Sequence, residues 1–349
     1  MNTAQPSRPA GEAPAAQVPA APRRAMMQAI MQDRYGTAPE DALRLEQTAV
    51  PAIAADEVLV QVRAAGVDRG TWHVMAGQPY LMRLLGFGFR GPKNPIPGLD
   101  VAGVVVAAGA DVTRFRAGDE VFGIARGSFA EYAAAREVKL ARKPARLSFE
   151  QAAALAVSGL AALQGVRDAG RIKAGQNVLI IGASGGVGSY AVQLAKAFGA
   201  QVTGVCSTAK TGLVRSIGAD TVIDYTREDF ADGRQRYDLI LDIAGNSRLS
   251  RLRRALTPRG TLVIAGGEGG KWTGVGRQIR ALILSLLVPQ RLTMYISKHR
   301  QADLETLSRL TETGQVTPVI GRTCPLSDTP AAIRCLAEGH ARGKIAITV

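Results

Sequence analysis

The chain has 349 residues, 46% of them hydrophobic and 21% charged, which is the balance of a water-soluble globular protein with room for two domains. No run approaches the roughly 20 apolar residues that cross a bilayer, and three cysteines without a short CxxC spacing read as reduced, mostly structural thiols of a cytosolic protein. The net charge of +14 contains no block of five basic residues, so it reads as a solvated surface and argues against nucleic acid as a partner.

Residues 1–25 are rich in Ala and Pro and nearly devoid of large apolar side chains, so they are expected to be disordered. They lack the apolar run of a secretory signal; Arg8, Arg23 and Arg24 leave a transit peptide as the weaker alternative. From Met27 to Phe149 the text is mostly β. Glu57–Arg63 alternates as a half-buried strand should, and strand candidates at Asp100–Ala107, Glu120–Ile124 and Ser128–Ala134 are punctuated by glycines. Ser148 is an N-cap candidate before an Ala- and Leu-rich helix.

From Asn177 onward strands alternate with helices. Strands are predicted at Asn177–Ile181, Gln201–Val205, Thr221–Ile223, Asp238–Leu241 and Thr261–Ala265, with a helix at Gly186–Phe198. Continuous apolar strands alternating with helices imply a doubly wound parallel sheet covered on both faces. Ile279–Val288 reads as a buried or interface helix. Strands at Pro318–Thr323 and Lys344–Val349, flanking a helix near Pro330–Glu338, are expected to return to the β-rich part. The division is therefore a β-rich domain of residues 26–149 and 316–349, and a nucleotide-binding domain of residues 150–315.

The most informative segment is Val178–Gly188, where a buried strand runs through Gly182, Ala183, Ser184, Gly185, Gly186, Val187 and Gly188 into a helix. Glycine permits the tight turn and the close approach of a pyrophosphate, and the helix N-terminus offers N–H groups and partial positive charge. Strand, loop, helix and next strand are all present, which is the context a dinucleotide fingerprint requires. Where an NAD site places an acid on the ribose, the second strand ends in Cys206, Ser207, Thr208, Ala209 and Lys210. Hydroxyls at Ser207 and Thr208 and a cation at Lys210 favour the 2′-phosphate of NADP(H).

With these residues in place, the chain resembles the medium-chain dehydrogenase/reductase superfamily from about Met26 to Val349. It is most similar to the quinone oxidoreductase (zeta-crystallin-like, reticulon-interacting protein-like) branch. The landmarks are Ala65–Asp68, Pro97–Gly103, Gly118–Val121, the Gly182–Gly188 loop and Ala341–Lys344. The resemblance implies an α/β protein, with a GroES-like β-rich catalytic domain beside a Rossmann domain and the active site between them. It implies a homodimer through a cofactor-domain edge strand near Arg291–Ile296. It also implies cofactor contacts from Tyr225, Ala244, Gly245, Gly266, Gly267 and Lys344.

Zinc-dependent members of the superfamily carry Cys where this chain has Asp68, and Gly-His-Glu where it has Gly98-Leu99-Asp100. A catalytic zinc needs three N, S or O ligands held together, and His73, His299 and His340 are scattered, so no metal is expected. Without a Lewis acid the expected reaction is hydride transfer from NADPH to a quinone or an α,β-unsaturated carbonyl. Asp68, His73 and Tyr80 are the catalytic candidates. The apolar segment Leu81–Pro97 reads as a lid over a small hydrophobic substrate or as plain loop packing. An enoyl-thioester reductase, an alcohol dehydrogenase and a non-catalytic NADPH-binding regulatory or RNA-binding protein remain as alternatives.

Overall fold

The computed structural model describes residues 25–266 and 276–349; the expectations for residues 1–24 and for Gly267 lie outside the described residues. Six apolar strands form one sheet: β1 (Asn177–Ile181), β2 (Gln201–Cys206), β3 (Thr221–Asp224), β4 (Tyr237–Asp242), β5 (Leu256–Ile264) and β6 (Arg291–Met294). They lie in the order β3-β2-β1-β4-β5-β6, and every neighbouring pair is parallel. Val178, Leu179 and Ile180 are fully buried because helices cover both faces, as the unbroken apolar run requires. The order reverses between β1 and β4, which opens a crevice at their C-terminal ends.

The second sheet has seven strands. Ile320–Pro325, Lys344–Thr348, Glu57–Val67, Asp100–Ala108, Glu120–Ile124 and Leu140–Arg142 follow one another across it, and Tyr132–Arg136 also pairs with Glu57–Val67. The C-terminal strand returns to this sheet as expected, with Ile345 opposite Val67. Two local readings are corrected. Glu57–Val60 is buried on both faces, because two strands flank it and the Glu57 carboxylate is satisfied by Arg126 at 2.7 Å and the Ala54 amide at 3.0 Å. The strand expected at Ser128–Ala134 lies at Tyr132–Arg136, since Phe129 is held in a turn against Pro97.

The helix Phe149–Leu163 joins the two sheets. It opens with a reciprocal capping box between Ser148 and Gln151, and its alanines 152, 153, 154 and 156 are fully buried. Small side chains let it approach both sheets closely. Ala64, Ala102 and Phe122 of one sheet and Val178, Tyr190 and Leu194 of the other half meet it in a single apolar cluster. The buried reading of Ile279–Val288 does not hold. The helix is Gly276–Ser285; Ile283, Leu286 and Leu287 are exposed, because it lies outside the edge strand β6 and packs on one side only. Helices Arg69–Ala76 and Gln301–Glu312 are additions that the sequence reading did not place.

Candidate active site

The glycine loop sits at the switch point. Gly182 adopts φ +88°, and its amide and that of Ala183 both donate to the Val205 carbonyl, at 3.1 Å each. A Cβ on Gly188 would lie 2.0 Å from the Gly182 carbonyl oxygen, so the turn admits no side chain there. Gly185 differs: the nearest atom to its added Cβ is 3.5 Å away, so the protein alone does not demand glycine at this position. The helix Gly186–Ala197 starts here without a side-chain cap, and Ser189 is the first residue to return its amide to the loop, at Gly185. The earlier amides of this helix are the donors that an anion would take. Ser184 is buried, and its carbonyl accepts from Gly343 at 2.9 Å.

Beside the loop lies a cavity of about 400 Å³ lined by Gly182, Ser184, Cys206, Ser207, Lys210 and Tyr225, with Ala244 on the β4 side. The sequence candidates from four separate strand ends therefore line one cavity. Gly266 is in the same layer: its Cβ would lie 2.1 Å from the Ile243 carbonyl oxygen. Gly245 takes φ +73° and donates its amide to the buried Asp242 carboxylate at 3.1 Å. The residues fit a dinucleotide: bare backbone at the turn, an uncapped helix end, and a cavity with hydroxyls and one ammonium at the end of β2. Asp242 also pairs with Arg277, a contact that the sequence reading missed because the two residues belong to different elements.

The second cluster occupies the junction of the two sheets. Asp68 ends the strand Glu57–Val67 and caps the helix Arg69–Ala76, accepting from the Thr71 amide at 3.0 Å and from its hydroxyl at 3.3 Å. Arg69 reaches the Ala337 carbonyl at 3.2 Å and stacks on Trp72. His73 turns Nδ1 to the Gln78 carbonyl at 3.1 Å and meets Trp72 edge-on, while Arg83 lies over the Tyr80 ring. In the lid segment, Leu84, Phe87 and Phe89 are exposed around a short helical turn at Arg83–Phe87.

Asp100 and Lys344 form a fully buried ion pair at 2.9 Å, and Asp100 also accepts the Val157 amide at 2.6 Å. Burial pushes the Asp100 carboxyl up to about 6; Lys344 pulls it down and the nearby Asp68 pushes it further up. The Lys344 stem packs behind Gly186, so this lysine supports the loop from the rear with its ammonium on Asp100. His299 joins the cluster from the far side. Its imidazole is pushed below the usual range by burial and by Lys139, against the opposing pull of Asp68. The preceding residue, Lys298, is clamped by Gln164, whose side-chain amide donates to the Lys298 carbonyl at 2.6 Å and accepts from the Lys298 amide at 2.8 Å. Sequence reasoning treated His299 as scattered; a buried glutamine clamping a loop backbone leaves no local signature. Among the described residues no group of three His, Cys, Asp or Glu side chains is placed to hold a metal ion, and no helix is long and apolar enough to cross a membrane.

Two family models match the chain: the alcohol dehydrogenase GroES-like domain at residues 54–145 and the zinc-binding dehydrogenase at residues 217–347. A chloroplast envelope quinone oxidoreductase homolog of Arabidopsis thaliana is 32% identical over 92% of this chain and 98% of its own length. An NADPH-dependent alkenal/one oxidoreductase of the same plant is 33% identical over 88% of this chain and 76% of its own. The solved quinone oxidoreductase of Coxiella burnetii superposes with a TM-score of 0.82 at 29% identity, covering 93% of this chain and all of that one.

Proposed function

The chain belongs to the quinone oxidoreductase-like branch of the medium-chain dehydrogenase/reductase superfamily, and from that premise we propose that it reduces quinones or α,β-unsaturated carbonyls with NADPH, without zinc. The observation that carries this reading is the glycine loop and uncapped helix end at the β1–β4 switch point, with the buried charges of the sheet junction directly behind it. Bound NADPH would supply the hydride. The chain's own residues would do the rest. Amides at the start of the helix Gly186–Ala197 hold the pyrophosphate, and Ser207, Lys210 and Tyr225 receive the 2′-phosphate. Ala244, Gly245 and Gly266 let backbone approach the cofactor closely. Asp68, His73 and Tyr80 are proposed to contact the acceptor, with His73 or Tyr80 donating a hydrogen bond to its oxygen while charge develops there.

Residues 26–149 with 316–349 and residues 150–315 would act as the two domains. The exposed edge of β6, with Ile296, Leu286 and Leu287 beside it, is proposed as the contact of a homodimer. The cytosol is the proposed compartment. The test follows NADPH and NADH oxidation with a panel of quinones and enones, with and without a chelator. Turnover that prefers NADPH and survives chelation is expected; loss on chelation would restore a metal, and silence with every acceptor would overturn the enzymatic reading. Size-exclusion chromatography with light scattering checks the dimer.

A further inference from the structure

We propose that the turn Gly339–Ala341, which belongs to the seven-stranded half, is part of the site that distinguishes NADPH from NADH, acting through the Lys210 ammonium it holds. The inference rests on the NADPH reading above and adds to it a positioning element outside the nucleotide-binding sheet.

Lys210 ends a short helical turn after β2 and lines the cofactor cavity with Ser207 and Tyr225. Its Nζ donates to the Gly339 carbonyl at 3.0 Å and the Ala341 carbonyl at 2.9 Å. An ammonium has three donors and no acceptor. Two are spent on neutral carbonyls, and among the described residues neither a carboxylate pairs with Lys210 nor a third acceptor is placed on it. Glu338, the acid that adjoins the turn, pairs with His340 at 3.3 Å. The result is an oriented cation with its charge uncompensated at a cavity wall, where a flexible lysine stem would otherwise have to be ordered on binding.

The turn that orients it is itself anchored. The Gly339 amide donates to Leu336 and the His340 amide to Cys335, both at 3.1 Å, and the Gly343 amide donates to Ser184 in the glycine loop at 2.9 Å. A phosphate taking the third donor completes a charge-assisted network that spans both sheets. Reciprocity then requires that a ligand bearing this phosphate steady the turn, while a ligand lacking it does not.

The test uses the full chain and two cofactor fragments, 2′,5′-ADP and 5′-AMP, by calorimetry and by hydrogen exchange of residues 339–343 at matched saturation. 2′,5′-ADP should bind on the order of 10-fold tighter than 5′-AMP and slow exchange in the turn about 3- to 10-fold more. Lys210→Met should erase both differences. Gly339→Val, strained because φ is +76°, should shift the carbonyl and shrink the 2′,5′-ADP advantage without weakening 5′-AMP. If the wild-type protein binds both fragments alike, the NADPH reading fails and the inference with it. If 2′,5′-ADP binds tighter yet the turn exchanges identically under both fragments, the NADPH reading stands and the inference is overturned.

Discussion

Above β1 and β4 the chain presents backbone to its cofactor crevice, and the sensitive positions are those where a single methyl would collide, as at Gly188. At the neighbouring junction of the sheets it presents buried charge, with Asp68, Asp100 and Lys344 converging from three separate segments. The first region is made by consecutive residues and fails when something is added. The second is made by distant residues and fails when one partner is removed. The two respond to mutation through different physics: steric exclusion in one, uncompensated desolvation in the other.

The largest effect is expected at the junction. Lys344→Met leaves the Asp100 carboxylate buried without its partner and should cost about 3–5 kcal/mol in urea unfolding at pH 7.5. The double variant Lys344→Met with Asp100→Asn should recover at least half of that. Equal losses in the single and double variants would mean the pair is not what holds this site. In the crevice, Gly188→Val should reduce dinucleotide affinity at least ~100-fold, about 3 kcal/mol, in a fluorescence titration, with circular dichroism checking the fold. Retained affinity would remove the glycine loop from the cofactor site and erase the contrast.

The pH dependence sharpens the comparison further. Burial raises the folded-state pKa of Asp100 from 3.8 to about 6, so between those values the folded protein holds more protons than the unfolded one. Stability from this group is therefore fullest below pH 4 and falls as pH rises through about 6, by on the order of 3 kcal/mol at most. Denaturation midpoints against pH should show the slope in the wild-type protein and lose it in the double variant; a flat wild-type profile would refute the burial argument. The smallest effect is expected at the exposed Arg114–Glu305 pair, which also links the two halves, at 2.7 Å. Alanine at either position should change stability by less than ~1 kcal/mol because solvent screens it.

What could be read in the sequence follows the same division. The parallel sheet, the glycine loop and the return of Lys344–Thr348 to the β-rich half were legible, because each is written in contiguous apolar runs or adjacent glycines. Ser207 and Lys210 were legible at the end of the second strand and Tyr225 through the family resemblance, and they share one wall because strand ends in a doubly wound sheet converge. The partners of the buried charges were not. Asp100 reads as an ordinary acid until the fold places Lys344 against it, and Gln164 reads as a helix residue until it clamps Lys298. The helix Gln301–Glu312 escaped notice because only Leu304 and Leu307 carry its buried apolar face, beside the buried polar Asp303 and Thr311.

The position of Lys344–Thr348 between Ile320–Pro325 and Glu57–Val67 has a consequence for how the protein is made. During synthesis all six strands of the parallel sheet leave the ribosome before this strand does, so that sheet can form on the nascent chain. The seven-stranded sheet cannot. Its long central strand waits with the Ala64–Val67 stretch of one edge open for the entire interval, exposed to pairing with another chain, until the segment carrying Lys344 arrives to fill it.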